Sequence, residues 1–164
     1  MHGSGRNAGT GTKVGRWHRS LGHVAVLGAF ALVGCLGAAG CCGGKSQDCN
    51  KLITVINKNG ESIKTATAKM NAAKEDTKAI EEVASTMETA ANDIKGVEVK
   101  DEELKKLATE YEEMLRSGAK AARDMVKAAN DNDLPGLTKA MGEISKVETT
   151  EANLVNKVNQ YCSD

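Results

Sequence analysis

Residues 49–94 read CNKLITVINKNGESIKTATAKMNAAKEDTKAIEEVASTMETAANDI. Their apolar members recur in alternating steps of three and four: Cys49, Leu52, Ile56, Ile63, Ala66, Met70, Ala73, Ile80, Ala84, Met87, Ala91 and Ile94, with Asn59 and Thr77 filling the two gaps. That spacing lines up one side of a helix and leaves Lys, Glu, Asn and Thr on a solvated face, as in antiparallel bundles. Ala is frequent in the seam, so helices can approach closely while each buried position removes little apolar area from water. A thin core follows.

Downstream, residues 96–100 break the pattern, with Gly96 suited to a helix C-cap and Val97, Glu98 and Val99 to a short extended linker. Asp101, Glu102 and Glu103 then supply an N-cap and acids that complement the helix dipole. The second seam runs Leu104, Leu107, Tyr111, Met114, Gly118, Ala121, Met125 and Ala128. Asn130, Asp131, Asn132 and Asp133 form a turn, with Asp133 as cap and Pro135 tolerated in the next first turn. The last helix presents Leu137, Met141, Ile144, Val147, Leu154, Val158 and Tyr161, interrupted by Glu151. The fold class is all-α, an antiparallel up-and-down bundle.

Upstream lies a different kind of segment. Arg6, Lys13, Arg16 and Arg19 precede an apolar run over residues 24–33, followed by small residues, and no acid occurs before residue 48. The run is shorter than the roughly 20 apolar residues a membrane-spanning helix needs, which favours a cleaved export signal. Ala38-Ala39-Gly40-Cys41 and Leu32-Val33-Gly34-Cys35 both resemble the lipobox of a bacterial lipoprotein precursor, in which the Cys receives the lipid. Cys41 is favoured, because cutting there leaves no apolar remnant, and Cys35 is the alternative. The resemblance implies a diacylglycerol and an N-acyl chain, such as palmitate, on the mature Cys, and two chains or more anchor stably. It also implies the outer membrane, since Cys42 or Leu36, not Asp, follows the lipidated residue. The domains are then a signal over 1–40, a flexible tether over 41–47 with Ser46 as a possible N-cap, and a bundle over 48–164.

Export places Cys49 and Cys162, at the outer ends of the helical region, in an oxidising compartment. A bridge needs their Cα atoms within about 7 Å, and only an even number of antiparallel passes brings both chain ends together. Four passes are therefore favoured over three with a first helix about 70 Å long. The extra turn has two candidates: Asn57-Lys58-Asn59-Gly60 has the better turn chemistry, and residues 71–76 give better matched lengths. The similar end motifs around Cys49 and Cys162, with the anchor, resemble small helical lipoproteins of Gram-negative bacteria.

Chemistry-bearing patterns are weak. His2, His18 and His23 all precede the cleavage site, so the mature chain has no imidazole and no Ser-His-Asp constellation. Glu81 and Glu82, or Glu110, Glu112 and Glu113, lack the Glu-x-x-His partner of di-metal bundle sites and read as a solvated face. Met70, Met87, Met114, Met125 and Met141 fall on the seams and read as core, not as haem or copper ligands. Gly44, Lys45 and Ser46 match a relaxed phosphate loop without the strand that such a loop requires. After cleavage at Cys41, 18 basic residues stand against 22 acidic ones, which argues against nucleic acid. No catalytic residue, cofactor, metal or nucleotide is expected. The sequence points to a non-catalytic, lipid-anchored envelope protein that presents its bundle to an envelope partner, at the periplasm or cell surface. The alternative is a small-ligand or metal carrier with a cavity near Gly118, Ala121 and Ala128.

Overall fold

A computed structural model describes residues 43–73 and 76–163. Among them are four helices, α1 (Gly43–Ala72), α2 (Thr77–Lys95), α3 (Glu102–Asn130) and α4 (Leu134–Ser163), each antiparallel to the one before it. The expected four-pass bundle is thus present. Cys35, Cys41, Cys42 and the signal segment lie outside the described residues.

The first helix continues through the Asn59-Gly60 pair to Ala72, and the second begins at Thr77. Asp76, in extended conformation, accepts a hydrogen bond from the Lys78 backbone N–H at 2.9 Å and caps α2. Asn59 instead stays helical and is 4% exposed, with Nδ2 donating to the Ala90 carbonyl at 3.3 Å. A helix interior Gly costs about 1 kcal/mol relative to Ala. Burial of Ile56, Asn59 and Ala66 on one face offsets that penalty at Gly60.

Of the residues expected to form a tether, 43–47 begin α1, with Ser46 inside the helix, and 41 and 42 lie outside the described residues. Lys45 stacks over the Tyr161 ring of α4, 4.2 Å from its centroid, so a tertiary contact favours helix where local composition suggested coil. Gly96 is the C-cap of α2, as expected, but with φ −76° and ψ −6° it uses no left-handed freedom.

The turn between α3 and α4 is a Schellman motif. Asn132 adopts φ 54°, its N–H donates to Ala129 O at 3.3 Å, and the Asp133 N–H donates to Ala128 O at 2.8 Å. Asp133 then accepts from the Gly136 N–H at 3.0 Å, the cap anticipated for α4.

Polar contacts fix the register. Lys58 with Asp93 (3.4 Å) and Lys69 with Glu82 (2.9 Å) run in opposite directions along α1 and α2. Arg123 reaches from α3 to Glu81 and Glu88 of α2, and Lys157 from α4 to Glu110 of α3. These pairs are largely exposed and screened by solvent, so they select register more than they stabilise it.

Leu52, Ile56, Ile94, Leu104, Leu107, Tyr111, Met114, Leu154 and Val158 form the main core, and a smaller cluster of Ala84, Ala119 and Ala122 lies between α2 and α3. α1 leans on α2 and meets α3 and α4 sparsely. Met141, expected in the last seam, is 49% exposed, and its neighbour Ala140 is buried instead. No described helix is long and apolar enough to cross a membrane.

Candidate functional site: the clamped end of the bundle

A group of polar contacts between distant residues gathers where α1 starts, α2 gives way to α3 and α4 ends. Cys49 and Cys162 are joined there by a disulfide with a Cα–Cα separation of 5.7 Å, as parity required. Cys49 and Leu52 are buried beside it.

One residue before the bridge, Asp48 is 3% exposed and accepts from the backbone N–H groups of Lys100 (2.6 Å) and Asp101 (3.2 Å). Lys51 donates to Asp48 at 3.3 Å and to the Glu98 carbonyl at 3.2 Å. The Lys100 N–H holds the Asp48 carboxyl below its ordinary value, with burial opposing and Asp101 and Lys51 adding to the effect. Asp48 therefore ties α1 to the linker that launches α3.

Asp101 joins α3 to α4 in the same way. It caps α3 by accepting from the Leu104 N–H at 3.0 Å, and it also accepts from the Tyr161 hydroxyl at 3.0 Å. The Leu104 bond first, and that of Tyr161 among the rest, lower the Asp101 carboxyl. The Asp101 bond in turn raises the Tyr161 phenol. Lys45 over the Tyr161 ring completes a chain from α1 to α4. Of these residues, sequence reasoning singled out Cys49, Cys162, the Asp101 cap and Tyr161. Asp48 was missed, because its partners are backbone groups about fifty residues away.

The carboxylates weighed as metal ligands are dispersed. Glu81 contacts Arg123, Glu82 contacts Lys69, Glu110 contacts Lys157 and Glu112 contacts Arg116. Among the described residues no three His, Cys, Asp or Glu side chains converge to hold a metal ion. Gly44, Lys45 and Ser46 form a helical turn, and no strand precedes them among the described residues.

Around Gly118 the space is filled, not hollow. A Cβ there would lie 2.9 Å from Met87 Sδ and 3.3 Å from Val147 Cγ1, so the glycine lets α2 and α4 close on α3. An open groove of about 700 Å³ runs instead between α3 and α4, with Met114, Val147 and Leu154 on its floor and Glu113, Lys146 and Thr150 among its walls. Its breadth and mixed charge suit a surface contact better than an enclosed small molecule.

One polar pair joining a buried tyrosine to a half-buried carboxyl was not foreseen. Tyr111, 1% exposed, donates from its hydroxyl to Glu151 Oε1 of α4 at 3.3 Å. Burial first, then the Glu151 charge, raise the Tyr111 phenol, and burial with the Glu148 charge raises the Glu151 carboxyl against the pull of the Tyr111 bond. Comparison with protein-family models, with curated proteins and with solved structures found no match.

Proposed function

We propose that this chain is an exported, lipid-anchored envelope protein whose bundle serves as a non-catalytic interaction or structural module. The observation that carries the reading is the Cys49–Cys162 bridge, a bond of an oxidising compartment, placed where the chain arrives from the lipobox-like segment. α1 begins two residues after Cys41, so a lipid on Cys41, or on the alternative Cys35, attaches at the clamped end and leaves the flanks of the bundle free for an envelope partner. Asp48, Asp101, Lys45 and Tyr161 reinforce that end, where an anchored domain meets its tether. The residue after the lipid site, Cys42 or Leu36, is not Asp, and by resemblance to the sorting pattern this favours the outer membrane.

Metabolic labelling with a palmitate analogue in the native host tests the assignment. Labelled protein in the outer-membrane fraction, with label lost in Cys41→Ala, supports it; loss in Cys35→Ala instead moves the site. Unlabelled protein recovered from the cytosol contradicts it.

A further inference from the structure

α4 carries its inward residues in a three-four alternation, Ala140, Ile144, Val147, Leu154, Val158 and Tyr161, and one step of that alternation falls on Glu151. A carboxyl group therefore sits between Val147 and Leu154, which are 8% and 3% exposed. α4 packs on α3 and sparsely on α1, and α2 comes near it over Gly118, which Met87 and Val147 both border. From α3 the group facing Glu151 is the Tyr111 hydroxyl, donating at 3.3 Å. On α4 itself Glu148 repels it, and Lys157 is engaged with Glu110. The disulfide sets the level of Glu151 on α1 close to Asn59, where the charged residues Lys58 and Glu61 are paired with Asp93 and Lys64.

Composition isolates this carboxyl group. All three histidines precede residue 24, and both cysteines among the described residues are oxidised, so no imidazole or thiol of the bundle titrates near neutrality.

We propose that Glu151 and Tyr111 form a proton-operated latch in the seam between α3 and α4: protonated, Glu151 stays seated between Val147 and Leu154, and ionised, it loosens that stretch of α4. Burial, helped by the charge of Glu148, lifts the carboxyl above its ordinary value, so the folded state holds the proton more tightly than the unfolded chain does. The latch is fully stabilising below the ordinary Glu value and loses that stability as pH rises through the raised one. Asp48, Asp101, Glu88 and Glu143 are shifted the opposite way and lose their contribution only in more acidic solution, which separates the two effects.

Amide hydrogen exchange on the disulfide-bonded protein at pH 5 and pH 8, corrected for intrinsic exchange, tests the latch. Protection over residues 147–158 should fall between the two, by up to about tenfold for each pH unit by which the carboxyl is raised, less the part already lost at pH 5, while α2 keeps its protection. Glu151→Gln, neutral at both values, should keep the pH 5 protection throughout. Tyr111→Phe removes the donor that favours the ionised form and should move the fall to higher pH. Wild-type protection that does not change, or an equal fall in Glu151→Gln, overturns the latch.

Discussion

Asn132 closes the turn between α3 and α4 from the left-handed region, with φ 54°. That region costs an ordinary L-residue about 1–2 kcal/mol and is entered readily by Gly and, among the others, by Asn. Asn132→Gly should hold or raise stability by up to about 1 kcal/mol, and Asn132→Val should lower it by about 1–3 kcal/mol, both read from urea midpoints. At Gly118 packing is the constraint. Gly118→Val should cost about 1–3 kcal/mol by overpacking, and Met87→Ala in the same chain should recover part of it, because the added carbon meets Met87 Sδ first. Strictly additive single and double variants would show that the two sites do not touch. The sequence marked Gly118 as a seam residue but could not name the side chains that fill its place. It also put Met141 in the last seam, where Ala140 is buried. Adjacent residues differ by 100° around a helix, and the sparse apolar residues at the start of α4 do not resolve so small a rotation.

At the scale of elements, periodicity located the helices well and local turn chemistry located their ends unevenly. Asp101 and Asp133 cap the helices they were expected to cap. Asn59-Gly60 carried the stronger turn composition, yet α1 runs through it to Ala72 and α2 begins at Thr77. The deciding contact is the Asn59 side chain on the Ala90 carbonyl, a bond that depends on where α2 lies and is invisible to local propensity. Gly96 shows the reverse case: it terminates α2 with ordinary right-handed angles, and a Cβ there would meet its nearest atoms at 3.5 Å, an unstrained contact. Gly96→Ala should therefore raise stability by about 0.4–1 kcal/mol, mainly by restricting the unfolded chain. A loss of stability in thermal unfolding would mean that α2 ends in the left-handed form.

For the whole molecule, the number of passes followed from parity: two cysteines at the outer ends of the helical region can meet only after an even count. The open side of the bundle was not legible in this way. α1 and α4 are neighbours, yet they meet sparsely, and the two buried polar residues of α1, Asp48 and Asn59, bond to the α2–α3 linker and to α2, not to α4. The disulfide therefore bears much of the α1–α4 connection. Across a sequence separation of 113 residues, closing the loop should stabilise the bundle by about 4–5 kcal/mol on the chain-entropy model. Cys49→Ser with Cys162→Ser should lower the urea-derived stability by that order.

The most direct test of the clamped four-pass bundle is a non-reducing tryptic map of the protein isolated from its native membrane. A cross-linked pair of peptides, 46–51 and 158–164, is the predicted result, since Cys49 and Cys162 are the cysteines they contain. Both peptides recovered singly with alkylated thiols would contradict it, removing the bridge and with it the evidence for an oxidising compartment.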